Sequence, residues 1–266
     1  MTEASLDDLV SYECTDQIAT ITFHRPEKLN AFNDELVVAL DRRLKQFDAD
    51  PDANVAILCG EGRAFSSGAD VQQRQLRSKE EFEKLGGPQG HGASSHDLLT
   101  KSVNWKPVIA APHGYVLGLS VGIVFECDLV VAEEGTKFQI TETSRGLGAA
   151  KYWGLLDFRG AAAFGTEMAL TGRFFAAEEA KEAGLINRIA PKGTYLDVAR
   201  ELAAEVNKNP PLSVRATVRA RRWYMHRRSE EMLHMSAPLK LYLSEDFQEA
   251  ARAFAEKRPA GPFKGR

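Results

Sequence analysis

Two glycine-bearing stretches hold the chemistry that this sequence most plainly offers. One is Ala64-Phe65-Ser66-Ser67-Gly68-Ala69-Asp70, between an apolar run and the polar, helix-like VQQRQLR. The other is Gly114-Tyr115-Val116-Leu117-Gly118-Leu119-Ser120, between VIAAP and VGIVFECD. Each places backbone N–H groups at the start of a helix, where donors lack intrahelical partners and the dipole is positive. Facing each other, two such junctions make a two-donor hole for an oxyanion that develops only during a reaction. Alone, each is also what an ordinary turn between strand and helix looks like.

Other reactive residue types point nowhere in particular. Cys14, Cys59 and Cys127 are widely spread and show no metal-ligand spacing. Cys59 and Cys127 sit in apolar runs and read as buried thiols of a reducing compartment. His91 and His96 have no third ligand nearby, so no metal site is expected. His113 reads as a hydrogen-bonded turn residue. The basic run Arg215, Arg219, Arg221, Arg222, Arg227 and Arg228 is interleaved with Glu230 and Glu231, and reads as a solvated helix face or a subunit contact.

The elements that must hold the junctions follow from periodicity. Residues 10–24 alternate as a strand does; 31–48 carry Phe32, Leu36, Val37, Leu40, Leu44 and Phe47 on one helical stripe. NVAILCG, WKPVIAAPHG and LVVAEEG read as further strands, with a helix-like run after each glycine junction. Strands alternating with helices predict an α/β core with parallel pairing. Residues 154–190 read mostly as helix, 78–97 as a loop, and 195–258 as helices with no strand. The expected division is therefore a core over 1–194 and a helical C-terminal region over 195–266.

The 266 residues suffice for one large domain, and the 44% hydrophobic and 27% charged fractions are ordinary for a globular protein. The net charge of −3 gives no electrostatic reason for a nucleic acid or an anionic membrane as partner. MTEASLDDLV lacks the basic start and apolar core of a signal peptide, and no apolar run reaches the length of a membrane span. A cytoplasmic location is the expectation.

Several segments together resemble the crotonase (enoyl-CoA hydratase/isomerase) superfamily: HRPEKLNAFNDEL (24–36), GRAFSSGAD (62–70), KPVIAAPHGYVLG (106–118), CDLVVAEEGTKF (127–138), MALTGRFFAAEEAKEAGLINRIAP (168–191) and FKGR (263–266). They come in the family's order and spacing. The resemblance implies a spiral of repeated β-β-α units with a C-terminal helical trimerisation region, as a homotrimer or a dimer of trimers. It implies an acyl-CoA thioester substrate with no separate cofactor, coenzyme A entering only as part of the thioester. It makes the N–H groups of Ala69 and Leu119 the oxyanion donors and Glu142 the proton carrier. Coenzyme A contacts would come from Lys28, Leu29, Ser67, Gly68, Asp70, Val71 and Gly118, with Phe263 and Lys264 completing the site, from a neighbouring subunit or their own. A cationic Lys28 near a helix start suits a phosphate; a solvated surface charge is its plain alternative.

The sequence departs from the family's pattern in ways that matter. Leucine stands at 119 where glycine is usual; it keeps the N–H but adds a side chain. Hydratases of the family use two glutamates; the second matches Glu142, and the first falls on Gly122, which transfers no proton. Glu126 lies about one turn further on, roughly 5.4 Å, and reads as an acid paired inside the fold. Tyr152 and Trp153 are bulky where the family is small. Three readings stay open: a hydratase, a one-carboxylate isomerase or lyase, and a silent relative that binds acyl-CoA, a protein or RNA.

Overall fold

The alternation in residues 10–24 is interrupted once, at Asp16 and Gln17, whose φ angles of 51° and 64° turn the chain back on itself. A two-residue loop with both residues at positive φ matches the twist of paired strands. The expected strand is thus an antiparallel hairpin, β1 (Val10–Thr15) and β2 (Ile18–Phe23). The computed structural model describes residues 6–88, 98–103 and 105–266; His91 and His96 lie outside them. After the hairpin come α1 (Asp34–Ala49), β3 (Val55–Gly60), α2 (Val71–Arg74), α3 (Lys79–Leu85), α4 (Leu98–Ser102), β4 (Val108–Ala110), β5 (Tyr115–Leu117), α5 (Leu119–Glu126), β6 (Leu129–Glu133) and β7 (Lys137–Gln139). The chain then runs through α6 (Ala150–Phe158), α7 (Ala162–Thr171), β8 (Phe174–Ala176), α8 (Ala177–Glu182), β9 (Arg188–Ala190), α9 (Tyr195–Asn207), α10 (Pro211–Ser236) and α11 (Glu245–Ala255).

The strands form two sheets. The larger has the order β1-β2-β3-β4-β6-β9, parallel throughout beyond the hairpin. The smaller has the order β5-β7-β8. Strand β3 is buried along its whole length, as a strand covered on both faces must be. Its alternate residues Ala56 and Leu58 join the main core, where Leu36, Val37, Leu40, Leu44 and Phe47 of α1 form the predicted stripe. Val55, Ile57 and Cys59 point the other way, onto Ala199 and Ala203 of α9. Helix α9 therefore covers a face of the main sheet. Strands alternating with helices and pairing mostly in parallel make the α/β class that was expected.

Segment 154–190 is mostly helix, as read, and also holds two short strands, Phe174–Ala176 and Arg188–Ala190, each closing a sheet edge. Two expectations are corrected. Segment 78–97 is not all loop: Ser78 caps α3 by accepting from the Glu81 amide at 3.2 Å, and Gly86 ends it in the left-handed region. The basic run is not a merely solvated face. Arg222 is buried; it donates to the carbonyls of Val103 (3.0 Å) and Lys106 (2.8 Å) and pairs with Asp128. Asp128 in turn accepts from the Val108 amide at 2.9 Å, so the ion pair ties α10 to the main sheet. Cys59 and Cys127 are buried free thiols, as expected, and Cys14 is exposed. No described helix is long and apolar enough to cross a membrane.

Removing one member of a buried, hydrogen-bonded ion pair strands the other charge. Arg222→Ala is expected to lower unfolding free energy by about 3–5 kcal/mol in urea titrations. A loss under about 1 kcal/mol would show that Asp128 finds water or Arg221 instead.

Candidate active site

The first junction is held from both sides. The Phe32 amide donates to the Gly68 carbonyl (2.7 Å) and the Asp70 amide to the Phe32 carbonyl (2.9 Å). In that parallel pairing the bonds to Phe32 come from residues 68 and 70, so the N–H of Ala69 points to the opposite side. On that side lies the second junction. Ser66 pairs with β5, its amide donating to Tyr115 and its carbonyl accepting from Leu117, each at 3.1 Å. A Cβ at Gly68 would sit 2.3 Å from the Leu117 carbonyl oxygen and 3.4 Å from the Leu119 nitrogen. Only glycine permits that approach. Gly118, with φ 50° and ψ −120°, turns the chain from β5 into α5, leaving Leu119 as its first residue.

Neither Ala69 nor Leu119 gives its N–H to a protein acceptor among the described residues. Two serines lock the pair of junctions. Buried Ser120 shares its hydroxyl between the carbonyls of Ser66 (3.0 Å) and Leu117 (2.9 Å). Buried Ser66 donates to the Asn30 carbonyl (2.8 Å) and accepts from the Gly68 amide (3.0 Å).

Ala69 and Leu119 open on a cavity of about 370 Å³, together with Glu142 and Tyr152. Glu142 follows β7 and precedes a short 3-10 turn; its Oε1 lies 3.3 Å from where a Cβ of Gly118 would be. The carboxyl is therefore beside the Leu119 junction. Its Oε2 is buried with no hydrogen bond among the described residues. Burial pushes the Glu142 pKa up to about 7, against the opposing pull of the Tyr152 hydroxyl, local backbone amides and the Arg145 guanidinium. A carboxyl near neutrality can both take and return a proton.

The place of the missing acid is filled. A Cβ at Gly122 would stand 3.3 Å from Cε1 of Tyr152, whose ring lines the cavity. Glu126 is paired inside the fold, as its reading predicted: Oε1 meets Lys151 Nζ at 2.7 Å and Oε2 accepts from the Leu99 amide at 3.3 Å. Trp153 does not line the cavity; its indole donates to Thr166 at 2.9 Å. His113 bonds the Gly62 carbonyl at 2.9 Å and stacks on Tyr195, a structural turn residue as expected.

The expected coenzyme A residues fall into four placements. The turn Pro26–Lys28 ends at Leu29, whose carbonyl accepts from the Ser67 amide at 2.9 Å, so Lys28, Leu29 and Ser67 come together, with Lys28 exposed. Val71 begins α2 beside them. The Asp70 carboxyl is committed elsewhere: it pairs with Arg25 at 2.8 Å and caps α2 through the Gln73 amide. Gly68 and Gly118 contribute by bringing the junctions close and do not line the cavity themselves. Phe263 and Lys264 do not reach the cavity of their own chain. Phe263 is exposed, and Lys264 pairs with Glu245 at 2.9 Å at the start of α11. The far wall, Leu233, Leu241 and Tyr242, comes from α10 and the turns after it, and buried Arg74 and Lys151 stand at the near side. Sequence reading gave no hint of these, because no local pattern ties residues 233–242 to a junction at 69. Among the described residues no cluster of acidic, histidine or cysteine side chains could hold a metal ion.

Residues 13–266 match the profile of the enoyl-CoA hydratase/isomerase family. A mevalonyl-coenzyme A hydratase of Aspergillus fumigatus is 33% identical over 262 residues, covering 94% of this chain and 92% of that one. The enoyl-CoA hydratase EchA19 of Mycobacterium tuberculosis is 33% identical over 250 residues, covering 90% of each. A carnitinyl-CoA hydratase structure from Mycobacterium avium superposes with a TM-score of 0.81 at 29% identity, over 97% of this chain and 99% of that one.

A carboxyl whose pKa is raised by folding binds its proton more tightly in the native state. Its favourable contribution is full below the unfolded pKa and is lost as pH rises toward the native value of about 7. Chemical denaturation at several pH values should show the protein losing up to about 3 kcal/mol from this group between pH 4.5 and 7.5, and Glu142→Gln should remove that loss. Equal pH slopes for the two proteins would place the Glu142 carboxyl in water.

Proposed function

Because the chain belongs to the enoyl-CoA hydratase/isomerase family, we propose that it hydrates 2-enoyl-CoA thioesters, or dehydrates the 3-hydroxy products, through an enolate held by Ala69 and Leu119. The observation that carries this reading is the convergence of Glu142 with the two junction amides on one cavity. The thioester oxygen accepts from both N–H groups, and negative charge growing there as the α carbon changes hybridisation is met by donors already in place. Glu142 gives the α carbon its proton and takes one back. The acyl chain runs into the cavity toward Leu233, Leu241 and Tyr242, while exposed Lys28 faces the coenzyme A phosphates. Coenzyme A belongs to the substrate and no further cofactor takes part. A trimer, or a dimer of trimers, in the cytoplasm is the assembly this reading carries. Relatives named hydratases at 33% identity support the choice of water as co-substrate.

A second reading has its own support. Gly122 leaves Glu142 as the carboxylate at this cavity among the described residues, which suits migration of the double bond by one group that removes and returns a proton. A panel of 2-enoyl and 3-enoyl thioesters separates the two. Hydration of at least one 2-enoyl thioester is expected, with Glu142→Gln slower by about 10²–10⁴-fold in kcat and binding retained. Conversion of 3-enoyl to 2-enoyl thioesters without hydration would establish the isomerase reading. Turnover of neither, with Glu142→Gln binding thioesters as the wild type does, would leave a silent acyl-CoA binder.

A further inference from the structure

Adding water across a double bond on one face needs two proton movements: one leaves the attacking water and one arrives at the α carbon. Glu142 accounts for one. Gly122 offers no group for the other, and Glu126 is held by Lys151 at 2.7 Å. A different side chain stands over Gly122. The Tyr152 ring approaches to within 3.3 Å of the position a Gly122 Cβ would take. It is fixed in the first turn of α6, is 9% exposed, and lines the same cavity as Ala69, Leu119 and Glu142. It therefore borders the same cavity as the Glu142 carboxyl, and each of the two groups shifts the acidity of the other.

We infer that the Tyr152 hydroxyl is the second proton-transfer group of this site, relaying a proton from the attacking water to Glu142. The inference rests on the hydratase reading above. Protonated Glu142 delivers its proton to the α carbon as the water oxygen bonds to the β carbon. The water proton passes to the Tyr152 oxygen while the Tyr152 proton passes to the Glu142 carboxylate. Water and the enoyl thioester become the 3-hydroxyacyl thioester, and both side chains end as they began. No free phenolate is required. That suits a hydroxyl whose pKa is pushed up by burial and by the carboxylates of Glu142 and Glu126, despite the opposing Arg74. The same ring also narrows the cavity on the Gly122 side, so the tyrosine supplies both the shape and the proton path that the glycine lacks.

Hydration and α-proton exchange separate this role from packing. Exchange of the α protons of a saturated acyl-CoA into deuterated water needs Glu142 and the two amides but no attacking water. Tyr152→Phe keeps the ring and removes the hydroxyl. It is expected to hydrate a 2-enoyl thioester about 100-fold or more slowly, while α exchange stays within about threefold of the wild type. Hydration by Tyr152→Phe within threefold of wild type, or equal loss of both reactions, overturns the relay and leaves the hydratase reading standing. A wild type that exchanges α protons but hydrates no thioester overturns both. If the phenylalanine variant does not fold, 2,3-difluorotyrosine at position 152 retains ring and hydroxyl and changes only acidity. A hydration rate altered severalfold with exchange unmoved supports the relay, and an unchanged hydration rate overturns it.

Discussion

The close approach of Gly68 to the Leu117 carbonyl is the constraint on which the rest of the site depends. No side chain fits there, since a Cβ would lie 2.3 Å from the carbonyl oxygen. The approach brings the amide of Ala69 to the amide of Leu119, two groups 50 residues apart in the chain. Strand pairing sets their directions. Phe32 takes up the groups on one side of the first junction, β5 pairs with Ser66, and Ser120 bridges the carbonyls of Ser66 and Leu117. The unsatisfied donors are a by-product of where one extended segment passes a helix start, and they remain in place without reorganisation when charge develops.

Electrostatics then sets what the cavity can do with that charge. Glu142 is buried beside the junctions with an unbonded oxygen, and its pKa rises to about 7. Such a group lowers native stability when ionised, so its presence opposes the packing around it. Nearby charges offset this only in part: Lys151 is taken by Glu126, and Arg145, 3.5 Å over the Phe254 ring, lowers the pKa by less than burial raises it. The carboxyl is thereby left near the acidity at which proton transfer in both directions is easiest.

How much of this was legible in the sequence depended on whether the signal was local. The α1 stripe, both glycine junctions and the internal pairing of Glu126 could be read, because spacing or an apolar neighbourhood carried each. The hairpin at Asp16 and Gln17 could not: neither residue is the glycine or asparagine that positive φ usually selects, and the two strands merged into one alternating run. Strands Phe174–Ala176 and Arg188–Ala190 are too short to show a period of two, and they sit among good helix formers. Helix α3 did carry a legible cap, Ser78 with Glu81 three residues on, but the glycines that follow obscured it. Within the site, Glu142 and the donor amides were reached through resemblance. The far wall from residues 233–242 and the Ser66–Ser120 lock depend on tertiary contacts that no local pattern announces.

Everything in this site turns on the convergence of two backbone amides on one carbonyl oxygen. Isotope-edited infrared difference spectroscopy of a bound acyl-CoA carrying carbon-13 at the thioester carbonyl tests it most directly. Two aligned donors polarise the bond more than solvent does, so the carbonyl stretch is expected well below its position in water. A bound thioester whose carbonyl stretch stays at its aqueous frequency would contradict it.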